Sequence, residues 1–418
     1  MKIIVVGSIE AGVSAAGKIL AASPDASNSI KVFERGSYYS CGNFGLPHYL
    51  TESLQSLTEA IREKEELLRS EGIEAFTEHE VLRINTAGHT LEVRDNRGGR
   101  NFTEEYDALV LATGSLGILP RVRGADKLGI HFLKNVSDLV FLKEFTRTPY
   151  VRDICILGSG YASLEIAKAF NKLGRNVRII DEYSHMLPDF DADVSSLIEE
   201  IMTEKGIGFS GGRTVTAFEG RTFIEKLVTS RESFDCDLCI VSRGGKPNTA
   251  LAGEAGIELS ASGAILIDGE LKTSVEGVYA VGDCAERRDG LLGTVSLHIG
   301  ELETGKTGLT EGQARKAGLR VKSVTAKAYD RPGICPGSVE ITIKLVFEER
   351  TGRILGAQAW GRKNAAARIN SIAVAIAAGM CVKQLSEVDL VYSSSASSIW
   401  DPIQVVCNAA KKQVAGKM

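Results

Sequence analysis

No apolar run in the chain reaches the roughly 18–20 residues that a membrane-crossing helix requires, so no spanning helix and no membrane partner are expected. There is no block of Lys or Arg either. With 49 basic against 53 acidic side chains the net charge is −4, which argues against a polyanion-binding surface, and nucleic acid is not an expected partner. The six histidines contain no His-x-x-x-His pair and no zinc constellation is visible, so no metal is implied. A secretory leader is not apparent: Met1 runs straight into Lys2-Ile3-Ile4-Val5-Val6-Gly7, which reads as a strand. The expected location is cytoplasmic, and the eight cysteines are not expected to form a disulfide framework. Hydrophobic residues at 44% and charged residues at 24% exclude the disordered and collagen-like classes.

Glycine is in excess, 44 of 418 residues or roughly one in ten against a usual 7%, so many backbone positions must turn sharply or approach something closely. The length predicts roughly two to four domains. Short β-branched runs bounded by Gly, Asp or Asn read as strands buried on both faces of a parallel sheet: Ile3–Val6, Ile30–Phe33, Leu109–Leu111, Ile154–Leu157, Val177–Ile180, Leu238–Val241 and Val278–Val281. Helical stretches such as Val13–Ala22 and Leu164–Leu173 lie between them, which gives a doubly wound α/β class. One unit of strand, Gly-rich turn, Ala-rich helix, strand and terminal acid occurs at Lys2–Glu34 and again at Asp153–Asp181, so two Rossmann-like dinucleotide-binding domains are expected. From about Ala326 the texture changes to period-two alternation at Val339–Leu345, a partner strand at Ile354–Trp360 and helix at Asn364–Ala378, a separate α+β domain.

The second unit carries Gly158-Ser159-Gly160-Tyr161-Ala162-Ser163. Gly158 permits the tight turn, Gly160 lets backbone approach a pyrophosphate, and the helix start offers positive dipole to its charge. Asp181 closes the next strand, where a carboxylate accepts from both ribose hydroxyls and repels a 2′-phosphate, so NADH is preferred over NADPH. The alternative is a tight strand-to-helix turn without a ligand. In the first unit Gly7-Ser8-Ile9-Glu10-Ala11-Gly12 lacks the central glycine, but Glu34 at the end of its second strand is placed to hold an adenosine ribose. Leu111-Ala112-Thr113-Gly114-Ser115 and Val278–Asp283 are further strands ending in Gly-containing turns, and strand ends at a switch point are where ligands sit. Asp283 can accept from the hydroxyls of a ribityl chain or cap a helix, and the two roles are compatible.

Cys41 follows Glu34 and precedes a Pro-containing segment. At a helix start beside a cofactor its thiolate would be stabilised as a nucleophile; the alternative is a buried apolar cysteine. Cys236-Asp237-Leu238-Cys239 has redox-pair spacing but falls in an expected strand, where residues i and i+3 point to opposite faces, so it reads as structural.

Together these residues resemble the FAD-dependent pyridine nucleotide–disulfide oxidoreductases over nearly the full chain, through Gly7–Gly12, Glu34, Ser40-Cys41-Gly42, Ala112-Thr113-Gly114, Gly158–Glu165, Asp181, Gly282-Asp283 and Arg353–Gln358. With one cysteine in place of a pair, the chain is similar to the branch containing coenzyme A-disulfide reductases, NADH oxidases, NADH peroxidases and persulfide reductases. The resemblance implies a discontinuous FAD domain (1–115 and 244–320), an NAD domain (116–243) and a C-terminal dimerisation domain (325–418), hence a homodimer. It implies cofactor contacts from Gly7, Ser8, Gly12, Glu34, Arg35, Ser40, Val81, Thr113, Gly114, Gly282 and Asp283, and from Gly158, Gly160, Tyr161, Glu165, Asp181 and Gly244. Tyr161 is similar to a tyrosine covering the nicotinamide site, Glu165 to a carboxylate near it, and Tyr392 to a tyrosine reaching the other subunit's cysteine.

Electron counting then gives the expected activity: NADH delivers a hydride, FAD accepts both electrons, and Cys41 passes them to a small-molecule disulfide, persulfide or polysulfide. The alternatives are an NADH oxidase cycling Cys41 through sulfenic acid, and a flavin-binding regulatory or electron-transfer protein without thiol chemistry. Glu10 stands where oxidases and peroxidases of this branch carry a His; it is a candidate acid or base and counts against the peroxidase. Coenzyme A is a candidate ligand, although the first helix offers Lys18 and then Leu20 and Ala21 where basic residues would bind its phosphates, and Cys335-Pro336-Gly337 replaces a Tyr-Pro-Gly. Cys335 is a candidate resolving thiol from the partner subunit.

Overall fold

The computed structural model describes residues 1–418 apart from 8–9, 23–28, 40–44, 53, 289, 291, 394–396 and 416–418. They form two compact units, Met1–Ser184 with Gly206–Gly290 and His185–Lys205 with Leu291–Met418.

The first unit starts with β1 (Lys2–Val6), α1 (Glu10–Ala22), β2 (Ser29–Phe33), α2 (Leu46–Thr51), α3 (Leu54–Ser70) and β3 (Ile73–Phe76). An antiparallel meander follows, β4 (His79–Asn85), β5 (Thr90–Asp95) and β6 (Arg100–Glu105), then β7 (Ala108–Leu111) and β8 (Ser115–Gly117). The plan then repeats. After β9 (Ile130–His131) and α4 (Val136–Thr146) come β10 (Asp153–Leu157), α5 (Tyr161–Lys172) and β11 (Asn176–Ile180). With α6 (Ala192–Glu204) assigned to the second unit, the chain continues as β12 (Ile207–Ser210), a second meander of β13 (Val215–Glu219), β14 (Lys226–Thr229) and β15 (Ser233–Asp235), and β16 (Leu238–Val241). The unit ends with β17 (Gly245–Pro247), α7 (Ala250–Glu254), β18 (Ile265–Ile267), β19 (Val278–Ala280) and β20 (Ala285–Arg287).

Two five-stranded parallel sheets result, ordered β19-β7-β1-β2-β3 and β12-β11-β10-β16-β9. Each expected parallel strand is present to within a residue or two at its ends. In both sheets the first strand of the repeat is central, with the next strand on one side and a later one on the other, and this reversal opens a crevice at the carboxyl ends. The first sheet divides its side chains by parity. Ile4, Val6, Leu109 and Leu111 pack under the first meander with Leu91 and Val93, while Ile3, Val5, Val32 and Val110 pack against Val13 and Ala16 of α1 and Leu68 of α3. Both faces are covered, which is why these strands are continuously apolar. In the second sheet Cys155, Leu157, Cys239 and Val241 meet Val215, Phe218 and Leu227 of the second meander.

The second unit is an antiparallel sheet ordered β21-β22-β25-β24-β23, from β21 (Val295–Ile299), β22 (Leu302–Gly308), β23 (Val321–Tyr329), β24 (Glu340–Glu348) and β25 (Ile354–Gly361). With it go α8 (Glu311–Lys316), α9 (Ala365–Ala377), α10 (Val382–Ser386) and α11 (Pro402–Lys411). Ile341, Ile343, Leu345 and Phe347 of β24 pack with Ile369 and Ile372 of α9 and Val406 of α11. The alternate positions Thr342 and Lys344 are buried as well, and the Lys344 ammonium lies 3.1 Å from Asp191 and 3.4 Å from Asp193. The polar half of the alternation thus faces an ion-pair network joined to α6 rather than water.

Candidate active site

At the first crevice Gly7 has φ +104° and donates its N–H to Phe33 O at 2.8 Å. A Cβ there would lie 2.2 Å from Ala112 O, and a Cβ on Gly12 would lie 2.0 Å from Gly7 O, so α1 is docked directly on the turn. Gly282 (φ +76°) abuts Ala11 of the same helix, a Cβ on it falling 2.8 Å from the Ala11 Cβ. The ends of β1, β7 and β19 therefore converge on the start of α1, where Glu10 is exposed in the first turn. Glu34, after β2, accepts the Gly36 N–H at 2.7 Å. Arg35 reaches Glu80 at 3.8 Å, and Val81 is partly buried against the first sheet.

Asp283 is exposed and accepts from Ser115 Oγ at 3.0 Å, while Lys134 Nζ donates to that Oγ at 3.1 Å. Thr113 Oγ1 donates to Asn248 O at 2.6 Å, and Asn248 N–H donates to Gly114 O at 2.9 Å. A Cβ on Gly114 (φ +67°) would meet nothing within 4 Å, so the end of β7 faces open space.

The second crevice repeats the first at atomic detail. Gly158 has φ +101°, its N–H reaches Ile180 O at 2.9 Å, and a Cβ there would lie 2.4 Å from Ser242 O. Gly160 caps α5 in extended conformation, and a Cβ on it would meet nothing within 4 Å; this is the cradle a pyrophosphate needs. Ser163 is fully buried and its hydroxyl lies 3.3 Å from Ser242 O. Asp181 is buried, and one carboxylate oxygen accepts the Ser159 N–H at 2.7 Å and the Ser159 hydroxyl at 2.6 Å; the other accepts the Tyr183 N–H at 3.3 Å. Tyr161 opens α5, Glu165 on that helix pairs with Lys168 at 2.8 Å, and Gly244 turns with φ +71° after β16.

Ser8, Ser40 and Cys41 lie outside the described residues. The segment carrying Cys41 leads into α2, which packs against both α4 and α5. Lys143 of α4 is buried and its ammonium donates to Tyr49 O and Glu52 O, placing a cation on the carboxyl end of α2. Burial pulls the Lys143 pKa down, assisted by Arg147, against a smaller upward pull from Glu52. Sequence reasoning missed this lysine. Its signal was an inward register, with Leu139, Leu142 and Thr146 as buried neighbours on α4. The Ser115–Lys134 pair and the Arg243–Glu182 ion pair at 2.7 Å were missed as well, because each joins residues from separate strand ends.

The structural reading of Cys236 and Cys239 holds, but its opposite-face argument does not. Both are buried in one core with Cys155, and the Cys236 thiol is hydrogen-bonded to Cys155 and Cys239. Cys236 lies ahead of β16, outside its pleat, so the opposite-face rule does not apply to it. Burial foremost drives the Cys236 thiol well up, and the bond with Cys236 followed by burial does the same for Cys155, so both are protonated and inert. Cys284 and Cys407 are also buried, and burial pushes Cys407 to about 12. Among the described residues no group of three or more His, Cys, Asp or Glu side chains is arranged to hold a metal, and no helix is long and apolar enough to cross a membrane.

In the second unit Tyr392 is 58% exposed. Tyr329, Ile334, Val391, Ile399 and Trp400 are also exposed, and Ser398 Oγ donates to Tyr329 O at 3.2 Å. Apolar exposure on this scale marks an interaction surface.

Comparison with known proteins bears on this arrangement. The family described as "Pyridine nucleotide-disulphide oxidoreductase" matches residues 1–308, and its dimerisation domain matches residues 295–400. A CoA-dependent NAD(P)H sulfur oxidoreductase of Pyrococcus furiosus is 31% identical, covering 98% of this chain and 99% of its own. The NADH-bound structure of a water-forming NADH oxidase from Lactobacillus brevis superposes with TM-score 0.91 at 26% identity, covering 99% of both chains. The structure of an NAD-dependent persulfide reductase from A. fulgidus gives a TM-score of 0.90 at 27% identity, covering 99% of this chain and 83% of that one. With one crevice plan used twice and family matches that together span residues 1–400, the chain belongs to the pyridine nucleotide-disulphide oxidoreductases.

Proposed function

We propose that the protein is an NADH-dependent, FAD-containing reductase of small-molecule disulfides, persulfides or polysulfides, with Cys41 as the sulfur that meets the acceptor. The observation that carries this reading is the packing of α2, at the end of the Cys41 segment, against α5, the helix that begins at the Gly158–Gly160 turn. It sets α2, which follows Cys41 closely in sequence, against the helix expected to receive the hydride donor. The sulfur-reducing relatives favour the acceptor class.

The first crevice fits FAD. Its open strand end at Gly114, the Glu34 carboxylate after β2 and the exposed Asp283 suit a pyrophosphate, an adenosine ribose and a ribityl chain in turn. FAD, when bound there, accepts the two electrons of a hydride and returns them to a disulfide. The second crevice fits NADH: Gly160 leaves room for the pyrophosphate and Asp181 accepts from the ribose hydroxyls, with Ser159 as its partner when the nucleotide is away. Cys41 thiolate attacks one sulfur of RS–SR′, so that a Cys41–SR bond forms, the RS–SR′ bond breaks and R′S⁻ leaves. The electron pair that entered from NADH, with one proton, then releases RSH and restores the thiolate.

Two copies are expected to pair through the exposed apolar residues around Tyr329, Tyr392 and Trp400, with Tyr392 reaching the other subunit's sulfur. An NADH oxidase is the second reading, favoured by the likeness to the Lactobacillus brevis structure; Glu10, an exposed carboxylate at the start of α1, counts against it. The test is anaerobic reduction with NADH followed by separate addition of coenzyme A disulfide, polysulfide, peroxide and oxygen. Fastest flavin reoxidation by a sulfur compound supports the proposal; fastest reoxidation by oxygen transfers it to the oxidase.

A further inference from the structure

The ion pair between Arg243 and Glu182 has no part in the activity described above. Arg243 follows β16 and its Cα is packed on the Gly158 turn, only 3.0 Å from where a Gly158 Cβ would stand. Its side chain reaches back across that turn to Glu182, the residue after Asp181, with 2.7 Å between guanidinium and carboxylate. Arg243 also lines a surface cavity of about 290 Å³ with Ile118 and Pro120. A guanidinium anchored at the end of one strand is therefore held beside the end of another, next to the carboxylate that would take a nucleotide's ribose. Another guanidinium nearby is Arg213, whose N–H meets Asp181 O at 2.8 Å, but its side chain is engaged by Glu232 at 3.0 Å and Gly211 O at 2.8 Å.

We propose that Glu182 and Arg243 form a specificity clasp: Glu182 occupies the guanidinium that would otherwise bind a ribose 2′-phosphate, and so enforces selection of the unphosphorylated nucleotide. This rests on the reading that the second crevice is the NADH site. The chemistry is that of a charge already neutralised. Guanidinium and phosphate pair through two parallel hydrogen bonds, and an arginine near the ribose is the usual means of accepting a 2′-phosphate. Here that arginine is present but its fork is turned to a carboxylate. With Asp181 alongside, a 2′-phosphate would meet two carboxylates and an arginine already paired. Selection against the phosphate then combines an attractive element that is masked with a repulsive one supplied by the carboxylates.

The test uses the holoprotein and two small probes, 5′-AMP and its 2′-phosphorylated form, titrated calorimetrically. In Glu182→Gln the affinity ratio of phosphorylated to plain probe should rise at least tenfold over wild type. The gain should shrink with added salt and vanish in the double variant Glu182→Gln/Arg243→Met. A ratio in Glu182→Gln within twofold of wild type, or a gain that survives loss of Arg243, overturns the clasp while leaving the NADH site intact. If wild type binds neither probe and NADH does not bleach the flavin, the donor-site reading fails and the clasp with it.

Discussion

The two parallel sheets are built to one atomic plan and differ where the third small residue of each turn meets its neighbours. In the first, Gly12 admits no side chain, since a Cβ would stand 2.0 Å from Gly7 O. In the second, Ser163 occupies the corresponding place, fully buried, with its hydroxyl 3.3 Å from Ser242 O. The helix of the first half is clamped on its turn; that of the second admits a side chain at the same place. The carboxylates differ too. Asp181 is buried and takes both polar groups of Ser159, so it keeps partners whenever a nucleotide leaves. A tight first site and a self-satisfied second one suit a resident cofactor and an exchanging one.

The largest expected effect separates the two halves by what they do. Cys41→Ser should lower the rate of sulfur-acceptor reduction at least about 10³-fold, because an alkoxide is not available at neutral pH. NADH should still bleach the flavin. Loss of both steps in stopped flow would show that the halves are not separable.

Gly12→Ala comes next. A methyl group pressed on a backbone carbonyl forces α1 to shift, at about 2–3 kcal/mol, and the purified variant should retain less flavin by absorbance. Ser163→Ala removes one hydrogen bond without creating a clash and should cost less than about 1.5 kcal/mol in thermal unfolding. Equal costs would break the comparison.

Asp181→Asn probes the second carboxylate. It removes a charged acceptor from three donors and from the ribose, so KM for NADH should rise about tenfold with a smaller change in kcat. An unchanged KM in steady-state assays would mean that the ribose does not reach this group.

What was legible in the sequence follows the same division. The β-branched runs of β1, β2, β10 and β11 announced themselves because both faces of each sheet are covered, and the glycines and terminal acids because backbone and ribose geometry leave few alternatives. The two meanders were not read, since strands such as Arg100–Glu105 face water on one side and carry few apolar residues. Cys236 was misplaced because periodicity assumes a pleat that begins only at Leu238. Arg243 and Glu182 lie on different strand ends, and no local pattern brings two such residues together.

The smallest predicted effect concerns stability, and it too falls on one sheet. None of the five strands of the first sheet carries a histidine, whereas β9 at the edge of the second carries His131, paired in register with Ile240. Its ring lies 4.4 Å from that of Phe141 and 5.8 Å from that of Phe145, both on α4. Burial lowers the His131 pKa below the ordinary value near 6.5, so the folded chain resists a proton that the unfolded chain accepts. Stability contributed by the neutral ring is complete above about pH 7 and declines as pH falls through about 6.5 towards the lowered folded value. The loss should appear as a downward shift in Tm on acidification. His131→Phe removes the titration and keeps the aromatic packing, so the difference in Tm between pH 7.5 and 5.5 should narrow in the variant. A difference of the same size in both proteins would place the acid-sensitive group elsewhere and remove this distinction between the sheets.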